Sequence, residues 1–492
     1  MLLRLAFSSI ACLLLGLAAP SLARQPSDCP DCLSQQAARE DLQTLYETLQ
    51  DEHVDLFARR SQADYDAHVA ALTASINGPI PPAQFHLIVQ DVLAFAKIGH
   101  TRTDAVIGDA AAHIRSGGKI VPLSVIYRGD SMITDQWAAQ DGDAFPPASR
   151  ITRIGGLDVA GFEDRIRNLV SADTDRLLRS QIEMLMPGLV YLVFGEVDSL
   201  LVEYVAPDGA ARAFSVPATG IQDMYAMQAA RPVAQPSRDP STRVFRDLGN
   251  GVFYIQPGPF YAKTDERGDT GDDYAIGPYK AFVEDAFAAL AESGARNLIV
   301  DLRDNPGGDA SFSDLVVARL TDEPYRFASR YEIRAGSNTK ASWADKSFEQ
   351  GSFLAGIAAA IASADEGERV LVELPEVHPI ASGALDGRVW ALVNRHSYSN
   401  AAVVAALMQD IGVATIVGEE TADLATTYGA VERFTLPHSG AVIEYPKAYM
   451  VRPSGDETVR GVVPDIAIAP APIGESRDVM LDAAMAQALR KD

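Results

Sequence analysis

The chain has 492 residues, room for roughly two to four domains. With 47% apolar and 22% charged residues it has the composition of a globular protein with a buried core. A net charge of −24 excludes the basic footprint that nucleic acid requires and gives an anionic membrane surface nothing to attract.

Residues 1–23 read as a secretory signal. Arg4 is the only charge ahead of an apolar run that reaches Ala19, and Ser21-Leu22-Ala23 has the small-x-small form of a cleavage site. Ser8, Ser9 and Pro20 weaken the run as a membrane anchor, for which it is short. Export is therefore expected, with a periplasmic location and no stable membrane insertion. The mature chain would keep Cys29 and Cys32 in a Cys-Pro-Asp-Cys run. No strand precedes them, so a local disulfide is expected rather than a redox motif, and two cysteines do not make a zinc site.

Residues 24–110 read as a helical domain. Leu42, Leu45, Tyr46 and Leu49 recur at helical spacing, and so do Tyr65, His68, Leu72 and Ile76. Asn77 to Pro82 break the pattern. A third helix over 84–97 leads into Gly99-His100-Thr101. Residues 114–218 read as a β-rich domain with two helices inside it. Strands are expected at 119–127, 199–204 and 211–216, the last two around the Pro207-Asp208-Gly209 turn. Its Ile154-Gly155-Gly156-Leu157-Asp158-Val159 run resembles a turn of PDZ-like modules, which bind extended peptides by adding a strand; a plain β-rich spacer is the other reading. Residues 219–245, with Pro232, Pro236 and Pro240, read as a linker.

Residues 246–492 alternate strand and helix, the pattern of an α/β core. A strand over 252–256 is followed by a charged, Gly-containing loop at 263–273, a helix over 279–292 and a buried strand over 298–302. Asn305-Pro306-Gly307-Gly308 then forms a turn whose two glycines leave N–H groups bare, as half of an oxyanion hole would need. Helical segments fill 340–385. A strand over 389–393, a polar turn at 394–397, a helix over 400–410 and a strand over 414–417 follow. Ser399 stands where that helix begins, beside free N–H groups and the positive end of its dipole. Serine is also a common helix cap, so this position alone does not make an enzyme.

Taken together, Asp301-Leu302-Arg303-Asp304-Asn305-Pro306-Gly307-Gly308, Tyr398-Ser399-Asn400-Ala401-Ala402, Val417-Gly418-Glu419-Glu420-Thr421 and Gly461-Val462-Val463-Pro464-Asp465 resemble the serine peptidases of the carboxyl-terminal-processing and tricorn type. The resemblance implies a multidomain α/β protein: a helical N-terminal domain, a PDZ-like β-rich middle domain and a crotonase/ClpP-like α/β catalytic core. It implies Ser399 as nucleophile and oxyanion donors from the N–H of Gly307 or Gly308 and that of Asn400. One branch of the family pairs the serine with a lysine about 25 residues later, as in other serine-lysine variants. Here that position is Leu424, and no lysine occurs between Ser399 and Lys447. The tricorn-like branch uses His, Ser and Glu, which maps onto His100, Ser399 and an acid just before Gly461, either Glu457 or Asp456. A peptide or protein substrate and no cofactor or metal are implied. A ligand-binding protein on the same fold is the alternative. The sequence lacks the Gly-x-Ser-x-Gly elbow of α/β-hydrolases, a His-Glu-x-x-His metal motif and a phosphate-binding loop.

Overall fold

The computed structural model describes residues 29–138, 145–267, 274–348, 350–380 and 385–490. The expected signal segment and part of the charged loop at 263–273 lie outside the described residues. The chain divides into two compact units.

The first unit holds residues up to Ala234 together with Gly336–Asn338 and Ala430–Lys447. It opens with Cys29 bonded to Cys32. Helices α1 (Gln35–Glu52), α2 (Gln62–Ser75) and α3 (Pro82–Phe95) follow, the first two started by Ser34 and Ser61, whose side chains accept from Ala37 N and Asp64 N. Their apolar stripes meet around Leu42, Leu45, Leu49, Tyr65, Phe85 and Val89, all fully buried. Tyr65 stacks on Tyr46 and donates its hydroxyl to Val92 O at 2.6 Å, so its polar end is satisfied inside the core. Two buried carboxylates on α1 bind later parts of the chain. Asp41 accepts from the N–H groups of His438 and Ser439, and Glu52 accepts from Asn338 N and from the Tyr445 hydroxyl. A two-residue strand, β1 (Arg102–Thr103), pairs antiparallel with Glu444 and Ile443. Helix α4 (Ala105–Arg115) follows.

The β-rich part of this unit is an antiparallel sheet. It comprises β2 (Val125–Arg128), β3 (Ser131–Thr134), β4 (Arg150–Ile154), β5 (Leu157–Asp158), β6 (Ser199–Val205) and β7 (Ala211–Pro217), in the order β2-β3-β4-β6-β7 with β5 on β4. Helices α5 (Val159–Arg167) and α6 (Asp175–Phe194) supply Phe162, Ile166, Ile182, Met186 and Leu189 to its core. The strand expected over 119–127 starts only at Val125, because Val121 and Leu123 are buried without entering the ladder. Within the stretch read as a linker, Ile221–Ala230 form helix α7.

The second unit holds Gln235–Ala335, Thr339–Gly429 and Ala448–Asp492. Its centre is a six-stranded sheet of β8 (Val244–Gly249), β9 (Val252–Gln256), β10 (Asn297–Asp301), β13 (Arg388–Val393), β14 (Thr415–Gly418) and β17 (Ile466–Ala467). All neighbours are parallel except β8 and β9. Helices α8 (Gly277–Ser293), α9 (Ala310–Val317) and α12 (Asn400–Asp410) make the crossovers that parallel strands require. A C-terminal helix, α13 (Val479–Ala488), packs Ala484 and Ala488 on the face that shows Val252, Tyr254, Ile299, Trp390, Leu392 and Val417. The alternate residues Phe253, Ile255, Leu298, Val300, Ala391 and Val393 are buried on the other face, as the period of two demands. Between β10 and β13 the chain adds β11 (Arg330–Ala335), α10 (Ser337–Trp343), α11 (Phe353–Ser363) and β12 (Glu368–Leu371). The remaining strands, β15 (Thr427–Thr435) and β16 (Val442–Val451), follow β14, and from Ala448 onward β16 pairs with β11.

An ion cluster fixes the end of β10. Arg303 is buried and bonds both oxygens of Asp301, at 2.9 and 2.6 Å, and both oxygens of Asp478, at 2.7 and 2.8 Å. Asp478 also caps α13 through Leu481 N. The first and third residues of the Asp-Leu-Arg run thus tie the sheet to α13. Removing one partner of a buried pair leaves the other charge uncompensated, so Arg303→Met is expected to cost about 3–5 kcal/mol in urea unfolding. A loss under about 1 kcal/mol, the value of an exposed pair, would show that the cluster does not hold this end of the sheet.

Candidate active site

Two turns in the second unit meet at Ser399. The first leaves β10. Leu302 N continues the ladder to Leu392 O at 2.9 Å, and Asp304 then takes a left-handed φ of 54°. Asn394 holds Asp304 there, accepting from its N–H and donating to its carboxylate, both at 3.0 Å, while Arg238 pairs with the same carboxylate. Asn305 accepts the Gly307 N–H on its side chain at 2.9 Å and the Tyr398 N–H on its backbone carbonyl at 3.0 Å. Gly307 and Gly308 have φ of 88° and 133°. A Cβ on Gly307 would stand 2.7 Å from both Ser399 Cβ and Asn400 N, and one on Gly308 would stand 2.1 Å from Phe260 O. Glycine is needed here for space as well as for backbone angle.

The second turn leaves β13. The Ser397 hydroxyl is fully buried, donates to Leu302 O at 2.8 Å and accepts from Asn394 N at 3.1 Å. It staples the two turns together. Ser399 follows with φ 53° and ψ −127°, close to the first central position of a type II′ turn, which glycine dominates. Its carbonyl accepts from Ala402 N and Val403 N and so starts α12. Its side chain does not cap the helix. The ordinary reason for a serine at a helix start is therefore absent, and the residue instead occupies a strained strand-to-helix bend.

The N–H groups around Ser399 are unequally used. Ser399 N donates to Asp423 Oδ2 at 2.5 Å, and Gly307 N donates to Asn305. Among the described residues, the N–H groups of Gly308 and Asn400 have no acceptor. Of the two glycines offered by the sequence, Gly308 is thus the one with a donor to spare. The Asn400 side chain donates to Ser313 at 3.1 Å and fastens α12 to α9.

Asp423 was not singled out by sequence reasoning. Its loop is built by the two later motifs: Thr421 N donates to Val462 O, and Val462 N donates to the Thr421 hydroxyl at 2.8 Å. Gly461 lies so close that a Cβ would stand 1.9 Å from Thr421 O. Asp465 accepts from Ile416 N and Gln409.

The other expected members are placed as follows. His100 belongs to the first unit and is buried in the turn after α3. That turn is braced by Asp173, which accepts from Gly99 N at 2.8 Å, by His53 at 2.9 Å from the Thr101 hydroxyl, and by Ser171 on Thr101 O. Burial pushes the His100 imidazole down to about 4. The Arg102 charge acts in the same direction, while Asp173 and Glu444 oppose it. Glu457, in the second unit, is exposed; it pairs with Arg330 at 2.6 Å and accepts from the Tyr449 hydroxyl at 2.9 Å. Asp456 is also exposed and holds Thr458, whose hydroxyl and N–H keep its carboxyl below the usual range.

Comparison with known proteins adds to this geometry of a serine at a strand-to-helix bend beside a Gly-Gly turn. Residues 275–468 match the model of peptidase family S41, which supports a serine-type peptidase. No curated protein matches the sequence. Among solved structures, mature CPAF is 15% identical, covers 88% of this chain and 92% of its own, and gives a TM-score of 0.60. Mature CPAF complexed with lactacystin is 14% identical, with 92% and 97% covered and a TM-score of 0.60. At these identities the likeness is one of fold.

The backbone at Ser399 makes a prediction of its own. Alanine inherits the left-handed strain and glycine does not, so Ser399→Gly is expected to be more stable than Ser399→Ala by about 1 kcal/mol. Denaturant unfolding of the two variants measures the difference. An alanine variant as stable as the glycine one would mean that the bend is unstrained.

Proposed function

We propose that the protein hydrolyses peptide bonds through an acyl-enzyme on Ser399, with His100 as general base. The observation that carries this reading is the bend itself: a strained serine whose hydroxyl does not cap its helix, next to unspent N–H groups on Gly308 and Asn400. In the reaction the Ser399 oxygen attacks the substrate carbonyl and its proton passes to the imidazole. The N–H groups of Gly308 and Asn400 stabilise the oxyanion. The proton then goes to the leaving amine, and water hydrolyses the ester by the same steps.

The base is assigned to histidine rather than lysine. Leu424 stands where the lysine of the other branch is expected, and Lys447 is spent on Ala430 O and Glu432. Glu457, four residues before Gly461, enters as the acid, with Asp456 beside it as the alternative. In this reading the parallel sheet of the second unit is the crotonase/ClpP-like core and β2–β7 are the PDZ-like module. The export expected from residues 1–23 is kept.

A fluorophosphonate probe tests the nucleophile. Ser399→Ala is expected to abolish labelling in a folded chain, whereas Ser397→Ala, which loses a buried staple, is expected to cost stability and still label at Ser399. Labelling that survives Ser399→Ala would move the nucleophile elsewhere.

The pH profile tests the base. A buried imidazole held down to about 4 is neutral, and able to accept a proton, at every pH above that value. The acid limb of kcat/KM is therefore expected near pH 4 rather than near the ordinary ~6.5. Linkage has the same sign: the folded pKa lies below the unfolded one. The stability contributed by neutral His100 is thus complete above ~6.5 and is lost as pH falls toward 4. His100→Ala should lower turnover by roughly three orders of magnitude or more. Peptide hydrolysis by His100→Ala and Glu457→Gln against pH measures both roles; a folded His100→Ala variant with native turnover would overturn the assignment.

A further inference from the structure

Asp423 is fully buried, and both its carboxylate oxygens are committed to backbone N–H groups. Oδ2 accepts from Ser399 N at 2.5 Å and Oδ1 from Leu424 N at 2.8 Å. The Thr421 hydroxyl donates to its backbone carbonyl at 2.8 Å, and Thr421 is itself held by Val462. The carboxylate therefore sits on a braced loop, aimed at the backbone of the serine.

We infer that Asp423 is a positioning residue that holds Ser399 in its reactive conformation, an inference that rests on reading Ser399 as the nucleophile. Left-handed backbone at a residue other than glycine is strained and persists only where its surroundings hold it. A hydrogen bond to a charged acceptor is among the stronger ones and is of the size needed to offset that strain. Two consequences follow from one bond. The φ of Ser399 sets the direction of its Cβ, and hence of its hydroxyl, relative to the N–H that Asp423 grips. The ψ of Ser399 sets the plane of the next peptide, and hence the direction of the Asn400 N–H. Hydroxyl and oxyanion donor are therefore aimed together. The same bond consumes the N–H of Ser399, so the hole is built from the donor one residue further on. Without the carboxylate the serine relaxes toward an ordinary extended or helical backbone, and both groups turn away.

Time courses of fluorophosphonate labelling separate this role from simple support of the loop. The final extent of labelling counts competent sites, and the rate constant reports how well each site is aimed. In the full chain, Asp423→Ala is expected to label to the same extent as wild type but about 10²-fold more slowly, the cost of misplacement by about 1 Å. Its kcat on a peptide should fall by the same factor, with KM changed less than about three-fold, because an interaction that aims the reacting groups acts on kcat. Asp423→Asn keeps one acceptor oxygen, should fall between the two, and carries the test if the alanine variant does not fold. Labelling at the wild-type rate overturns the inference, whether its extent is full or reduced; reduced extent alone would mark Asp423 as a support of the loop. If wild type itself is not labelled at Ser399, the nucleophile reading fails and this inference falls with it.

Discussion

The backbone of Ser399 is the constraint around which the second unit is arranged. A φ of 53° with ψ of −127° suits glycine, yet a side chain is required there if a hydroxyl is to stand at the head of α12. The surroundings over-determine the bend. Ser397 fixes the approach from β13, Asp423 grips the N–H, Gly307 leaves room in front, and α12 begins from the carbonyl. Helix α12 is anchored in turn, since Asn400 to Met408 are all buried. A helix without an exposed face has little freedom to rotate, so its first turn offers a fixed reference for the groups at its start.

This changes what the sequence motifs mean. Most of their residues build rather than react. Asp301 and Arg303 join β10 to α13 through Asp478, and Asn305 ties one turn to the other. Thr421, Gly461 and Asp465 brace the loop that carries Asp423 and the strand that precedes it. The motifs are spaced far apart in the chain because the parallel sheet brings the ends of β10, β13 and β14 side by side. Loops at the C-terminal ends of parallel strands are where such folds gather reactive groups, since a rigid sheet aims them and each can vary independently.

Legibility in the sequence followed the range of the interaction. Strand β9 and helix α12 have the boundaries that periodicity and Gly412 indicate, because local patterns carry them. The Gly-Gly turn and the serine at a helix start were readable for the same reason. Asp423 was not: its bond to Ser399 spans 24 residues, and nothing in its neighbourhood distinguishes it from any loop aspartate. The partnership of Arg303 with Asp478 spans 175 residues. Helix α7 lay in a stretch read as a linker because it stands next to prolines and polar residues and is a short segment with little helical periodicity, of which Met224 and Met227 are buried. The lowered pKa of His100 depends on burial, which no composition window reports.

Electrostatics decide how the donors around the serine are divided. A carboxylate beside a developing oxyanion would raise the barrier if its charge faced the reacting carbonyl. Here both oxygens of Asp423 are turned onto backbone N–H groups, which offset the charge and direct it away. The Gly307 N–H is likewise taken up by Asn305, which fixes the turn without competing for substrate. Among the described residues, the N–H of Gly308 on one turn and that of Asn400 on the other have no acceptor. Two donors on separate, mutually stapled turns cannot drift together as a single flexible loop would. Their separation is set by the Asn305 to Tyr398 and Ser397 to Leu302 bonds, so the rigidity of this donor pair follows from hydrogen bonds made behind it.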